Sequence, residues 1–493
     1  MSITRRQLLT ALLAGGLSPE LLALGLPADG FAAHAPELAP LRGLAGQDLA
    51  ADRTVIEGRL PPGLRGTLFR NGPGLMSRGE ERYRHWFDGD GFVQAWSLAD
   101  GQARHQGRFV QTEKFRAEQA AGRFLLPAFG TAIPAQRPVR GPDSLNVANT
   151  SVLLQGDALY ALWEGGSAYA LDPKTLQTRG VKTWAPELRG MPFSAHPKVA
   201  PDGTVWNFGS YNGRLVVYEI DAAGAIKRHA LLDVRSPAML HDFAVSQHHL
   251  VFLLAPIGMD AAALRAGSSM IDAMRWAGEQ PTRVLVVDKA DFTRCRIFEM
   301  PAAQVFHFGN AWDDGGVLRV DYVQSAALPE FNQAAQQIMR GERTSRDVST
   351  PRVLEIDLAR GRLSVAQRSE AVEFPVVDPR VVTQRHRFVW YPTAIDTGPR
   401  WGFNGLMRLD IESGARERFS FGADTVVEEH VMVPRPGSMR EGEGWLVGTG
   451  YDVRRQRSFL SVFDALRLSD GPIGRAWLPY WVPYGFHGRF YVA

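Results

Sequence analysis

The chain has 493 residues, a hydrophobic share of 45% and a formal net charge of +3, from 55 Lys and Arg against 52 Asp and Glu. That hydrophobic share excludes a disordered polyelectrolyte, and so small a charge over so long a chain provides no field for gathering nucleic acid. A single cysteine, Cys295, excludes an internal disulfide framework and any cysteine-rich zinc or iron–sulfur site, while 50 Gly and 31 Pro among short apolar runs indicate a turn-rich β protein.

The N-terminus sets Arg5 and Arg6 before an apolar run from Leu8 to Leu17. Such a run is too short for the ~20 residues that span a bilayer, and twin arginine before a weakly apolar stretch resembles a bacterial Tat signal. Residues 1–35 are therefore expected to be a Tat-type signal and cleavage region; small residues from Ala28 to Ala35 offer cleavage sites, among which Ala33-His-Ala35 fits the pattern but is followed by the unfavourable Pro36. This predicts export in the folded state to the periplasm or another extracytoplasmic space. Residues 36–54 read as an N-terminal arm and 55–493 as one domain. No later window approaches a membrane span, so the expected mature protein is soluble or peripheral, with a monomer as the default state.

From residue 55 onward, short strands alternate with Asp-Gly, Asn-Gly and Asp-Pro turns. Thr204–Phe208 and Leu215–Ile220 flank Asn212-Gly213 as a hairpin would. A recurrent pattern, an apolar run ending in aspartate, appears in Ala168–Pro173, Arg283–Asp288, Arg352–Asp357, Gly405–Asp410 and Phe459–Asp464. Hairpin pairs recurring at this interval predict an all-β propeller of four-stranded blades; the rival is a set of β-sandwich domains. Two stretches break the cadence. Met259–Gly278 is rich in Ala and Met, and Leu328–Gly341 places Phe331, Ala334, Ala335, Ile338 and Met339 on one helical face. Both are expected to be helical insertions in loops, forming a cap. The sharper expectation is an apolar lip that dips into a membrane, built from Phe331, Ile338 and Met339 with Met259, Leu264, Met270, Ile271 and Met274.

Of twelve histidines, eight carry no signal, including His85, His105, His249 and His386 among polar or charged neighbours. The other four, His196, His241, His307 and His487, follow small or apolar residues where strands should begin or end. Singly, each is more often a satisfied core histidine than a ligand. Their spacing changes this: 196 to 241 is about one blade, 241 to 307 a blade plus an insertion, and 307 to 487 near four blades. Equivalent positions on inner strands face a propeller's axis, and four neutral imidazoles buried at one point require a cation. Imidazole alone does not select among Zn, Cu, Fe and Ni. A metal-bound histidine normally donates its other N–H to a carboxylate, and Glu164 and Glu373 stand in apolar strands where an unpaired carboxylate is costly. Glu429 has a polar neighbourhood, so its position says less.

Eight ordered motifs then carry a resemblance. Phe69-Arg-Asn-Gly-Pro73, His85-Trp-Phe-Asp-Gly-Asp-Gly91, Asn149-Thr150, Glu164-Gly-Gly, Ser194-Ala-His196-Pro, His241-Asp-Phe, Glu373-Phe-Pro and Tyr484-Gly-Phe-His487-Gly are similar to those of the carotenoid cleavage oxygenase family. The resemblance runs from about residue 50 to the C-terminus. It implies a seven-bladed propeller with one Fe(II) per chain on His196, His241, His307 and His487. It also implies that Glu164, Glu373 and Glu429 support His241, His307 and His487 in that order, and that Thr150 crowds a vacant iron position. The activity implied is a non-haem iron dioxygenase that adds O2 across an electron-rich C=C bond and breaks it, by way of a dioxetane or an equivalent, into two carbonyl products. An apolar tunnel would hold the polyene. No Ser/His/Asp or paired-carboxylate arrangement competes with this reading.

The substrate implied is a carotenoid or apocarotenoid. Stilbene-cleaving relatives engage a phenol through a lysine and a tyrosine near the metal, and residues 115–163 contain no lysine. The alternatives are a stilbene-cleaving dioxygenase, a non-enzymatic propeller that binds partners, which has no use for four buried histidines, and a quinone-dependent propeller dehydrogenase, whose cofactor needs a different residue set.

Overall fold

The runs that end in aspartate turn out to be the same strand of successive blades. In the computed structural model, which describes residues 36–342, 349–368, 371–395, 398 and 401–493, Tyr169–Leu171, Arg214–Ile220, Thr282–Asp288, Ser349–Asp357, Gly405–Asp410 and Arg457–Asp464 each lie third from the inner edge of their sheet. The aspartate at the end of each accepts main-chain N–H groups of the turn that follows. Asp172 takes those of Lys174 and Thr175, Asp357 that of Arg360, and Asp410 those of Glu412 and Ser413. Those bonds reverse the chain into the next strand outward, which is why the sequence repeats there. The signal-like segment, residues 1–35, lies outside the described residues.

Seven sheets surround one axis. From the second to the fifth blade, the inner strands are Ser151–Gln155, Lys198–Val199, Ala244–Val245 and Gln304–Asp314. The sixth uses residues 372–376, bridged to its next strand at Val372–Thr393 and Val376–Trp390, and the seventh uses Thr425–Pro434. The ring closes at both ends of the chain. The C-terminal strand His487–Val492 is the innermost of the first blade, paired with Gly66–Leu75, and Val55–Gly58 is the outermost of the seventh, paired with Gly474–Trp477. Apolar packing seals this seam, with Leu68 and Trp96 of the first blade in one cluster with Val447, Leu460 and Val462 of the seventh. The stretch read as an arm contributes too. Leu49–Ala51 pairs along the first blade, and the 3-10 turn Pro36–Arg42 buries Leu38 and Leu41 beside Tyr83, Tyr451 and Tyr484.

Asn212 and Gly213 both have positive φ, +50° and +76°, the conformation that a two-residue hairpin needs. The helix over Leu328–Met339 is present and is entered through Pro329. Met259–Gly278 is not a helical insertion. Ile257–Met259 pairs with Met274–Trp276 as a hairpin, and only Ala261–Arg265 between them is helical, capped by Asp260 and ended before Gly267. The interval from His307 to His487 is also not four blades. It is three steps, from the fifth blade through the sixth and seventh to the first, lengthened by the Leu328–Met339 helix.

Candidate metal centre

Each blade delivers one side chain to the axis. His196 lies just before the inner strand of the third blade, His241 just before that of the fourth, His307 within that of the fifth, and His487 starts that of the first. Glu164, Glu373 and Glu429 come from the second, sixth and seventh. The four histidines present one ring nitrogen each within 4.8 Å of one another. His196 Nε2 is 2.8 Å from His241 Nε2, and His307 Nε2 is 3.1 Å from His487 Nε2.

The opposite ring nitrogens explain why these contacts need a cation. His241 Nδ1 is bonded to Glu164, His307 Nδ1 lies 2.6 Å from a Glu373 oxygen, and His487 Nδ1 lies 3.0 Å from a Glu429 oxygen. A carboxylate only accepts, so each of these Nδ1 atoms carries the proton and each Nε2 of a neutral ring presents a lone pair. Lone pairs of His307 and His487 then face each other, which is repulsive unless a positive ion lies among them. The residues thus fit a divalent metal with nitrogen donors. Burial, with the three other imidazoles and Lys198 adding to it, pushes His196 well below the ordinary imidazole range. Burial also lowers His487 against the pull of Glu429, whereas at His307 burial is outweighed by Glu373, Asp242 and Glu429 together, which raise it. Burial would raise Glu429, but His487 and Arg70 together bring it below the usual carboxylate range.

On one side of the histidines lies a cavity of about 150 Å³. Its walls are mostly aromatic: Phe87, Phe129, Phe306, Phe331, Phe374 and Phe486, with Trp163. Thr150 lines it as well, its hydroxyl donating to Asn149 Oδ1 at 3.1 Å, while Asn149 Nδ2 donates to the carbonyls of Phe87 and Gly89. Two buried carboxylates fix the segment that carries Phe129. Asp88 accepts from Gly130 N at 2.7 Å and Thr131 Oγ1 at 2.5 Å, and Glu118 accepts from Leu125 N and Leu126 N. On the other side, a wide funnel along the axis, about 1040 Å³, is lined by polar groups that include Lys198, Asp242, Asn310 and Arg489.

The phenylalanine wall is what sequence reasoning missed, because its six rings come from six separated segments that share no pattern. The membrane lip is also largely corrected. Phe331 faces the cavity, its ring 4.4 Å from that of Phe306, and Ile338, Met339, Ile271 and Met274 are buried in core clusters. Only Leu264 and Met270 of that set are exposed, at 37% and 43%. Among the described residues no helix is long and apolar enough to cross a membrane.

Comparison with known proteins places these features. A sequence profile of the retinal pigment epithelial membrane protein family matches residues 45–492. The apocarotenoid-15,15'-oxygenase of Synechocystis sp. is 31% identical over 478 residues, covering 91% of this chain and 95% of that protein. Lignostilbene-alpha,beta-dioxygenase isozyme III of Sphingomonas paucimobilis is 29% identical, covering 88% and 92%. The crystal structure of cobalt-substituted Synechocystis apocarotenoid oxygenase superposes with a TM-score of 0.82 at 28% identity, over 93% of this chain and 98% of that one.

Proposed function

The chain belongs to the retinal pigment epithelial membrane protein family of carotenoid cleavage oxygenases, and on that premise we propose that it is an Fe(II)-dependent dioxygenase that splits a C=C bond of a carotenoid or apocarotenoid into two carbonyl products. The observation that carries the reading is the ring of four Nε2 atoms, three of them belonging to rings whose Nδ1 is bonded to a carboxylate. Four neutral donors leave a ferrous ion with open positions, so that iron, when bound, supplies dioxygen activation. The protein supplies the rest. Glu164, Glu373 and Glu429 hold the Nδ1 protons and so fix three rings in the ligating tautomer. Thr150 occupies the cavity beside them and limits what can approach. The phenylalanine walls exclude water and hold an apolar chain.

The choice of polyene over phenolic stilbene rests on the same cavity, whose lining contains neither lysine nor tyrosine. Lys114, next before the lysine-free stretch, is fully buried elsewhere, 2.5 Å from the Tyr83 hydroxyl and 2.7 Å from Glu118. A cavity of about 150 Å³ is smaller than the ~300–1,000 Å³ of ordinary ligand sites, so a polyene would be enclosed only around its reacting bond, with its arms passing between the phenylalanines. Iron-reconstituted protein is expected to yield paired carbonyl fragments from an apocarotenal or a carotenoid, read by mass spectrometry, and none from a hydroxystilbene. Cleavage confined to the stilbene would overturn the assignment.

The proposal includes export through the twin-arginine segment and peripheral membrane contact at the surviving apolar tip. Leu264 and Met270 support the second part because Ile271 N donates to the carbonyl of Phe129, which puts that loop at the wall of the cavity. Cell fractionation tests both. Wild type is expected outside the cytoplasm with a membrane-bound share, Arg5→Lys/Arg6→Lys in the cytoplasm, and Leu264→Ser/Met270→Ser exported but released from membranes. Unchanged partitioning of either variant removes the corresponding part.

A further inference from the structure

Arg70 lies on Gly66–Leu75, the strand next to the ring-closing one, and its side chain is fully buried. A guanidinium out of water is costly unless its donors are occupied; Nε has no partner among the described residues, and the two terminal nitrogens reach across the seam between the first and seventh blades. Nη1 donates to the carbonyl of Glu429 at 3.0 Å, and Nη2 reaches Glu428 Oε1 at 3.3 Å and the carbonyl of Phe486 at 3.4 Å. Nη1 also lies 3.9 Å from Glu429 Oε2.

Two features of the chain are shaped around this group. Successive residues of a regular strand point to opposite faces, yet a register shift between Val427 and His430 brings both Glu428 and Glu429 to Arg70. Glu428 then accepts from Thr449 Oγ1 and Gly485 N, and Glu429 from Gly488 N at 2.7 Å while holding His487. The glycines on either side of Phe486-His487 make the room. A Cβ on Gly488 would sit 2.7 Å from Arg70 Cγ, and one on Gly485 3.2 Å from Arg70 Nη2. Among the described residues, neither Glu164 nor Glu373 is paired with an arginine or lysine. The fourth histidine differs from the others in arriving on the strand that closes the ring, so its place is not set by continuous chain within a blade.

We propose that Arg70 is the positioning residue of the metal centre, latching the closing turn and Glu429 so that His487 meets the other three histidines; this rests on the reading of those histidines as metal ligands. The test uses full-length protein loaded with Co(II), whose visible absorption reports ligand geometry, with affinity measured by competition against a chromophoric chelator. Arg70→Met is expected to fold, to bind cobalt about 10- to 100-fold more weakly, and to shift the spectrum as Glu429→Gln does. The double variant should lose no more than the worse single, because both act through one contact. Arg70→Lys keeps the charge but not the fork, and covers the case in which Arg70→Met fails to fold; it is expected to show a displaced spectrum and at least tenfold weaker binding. Wild-type spectrum and affinity in either folded variant, or multiplicative losses in the double, would overturn the inference. A wild-type chain that takes up no cobalt would overturn the metal reading and this inference together, whereas a variant indistinguishable from a cobalt-binding wild type overturns only the inference.

Discussion

Replacing any one of His196, His241, His307 or His487 by Ala is expected to leave folded protein with no retained iron after desalting, against one iron per wild-type chain. The four Nε2 atoms lie within one sphere of contact, so each removal opens a quarter of the donor set and leaves three imidazoles that water can reach. Fold should survive, because all four lie at the rim of the axis and not in the clusters between blades. Glu164→Gln, Glu373→Gln and Glu429→Gln act one step away. Glutamine still accepts from Nδ1–H but carries no charge, so about 10- to 100-fold in affinity or activity is the expected loss. His249→Ala and His386→Ala are the controls. His249 is bonded to Asp313, and His386 packs on Trp312 beside Asp321, both away from the four-histidine group. Metal analysis by atomic emission, with circular dichroism on the same samples, separates the outcomes. Iron lost equally from the controls and the four would mean that the site has been wrongly assigned.

How much of this site was legible depends on what kind of signal each residue leaves. The histidines were legible because inner strands recur at blade intervals, and any residue that starts one reaches the axis. Glu164 and Glu373 were legible by contrast with apolar neighbours. Glu429 was not, because it lies beside Glu428 and only the bulge of their strand sends it inward. Counting blades by distance failed between His307 and His487, since a helix and a two-residue bridge in place of a full inner strand both change the interval. Amphipathic periodicity correctly located the helix of Phe331 but could not say what its apolar face covers; Phe331 packs at the metal cavity, while Ile338 and Met339 pack on Leu38, Tyr83 and Tyr484. Alanine and methionine content misled over Met259–Gly278, where glycine and serine after Ala266 stop the helix and pairing of the two ends takes over.

Deleting residues 487–493 should do far more than remove one ligand. His487–Val492 is the innermost strand of the first blade and pairs with Gly66–Asn71 over its whole length. Without it, Gly66–Leu75 becomes an inner edge with unpaired main-chain groups, and Phe490 leaves the cluster that joins the first and seventh blades. Leu154 N also loses its bond to the Tyr491 hydroxyl across the seam between the first and second blades, so the second blade is loosened as well. A ring held at every seam loses its cooperativity when one seam opens. The cost is set to reach the ~5–15 kcal/mol that ordinary domains have in total. The truncated chain is therefore expected in inclusion bodies or without a cooperative melt, whereas His487→Ala should melt within a few degrees of the metal-free wild type. The contrast isolates the two duties of the C-terminal strand, closing the propeller and delivering the fourth histidine. A truncated protein that stays soluble and melts cooperatively near the wild-type temperature would show that the other six blades hold the ring without it, and that closure and metal binding are separable.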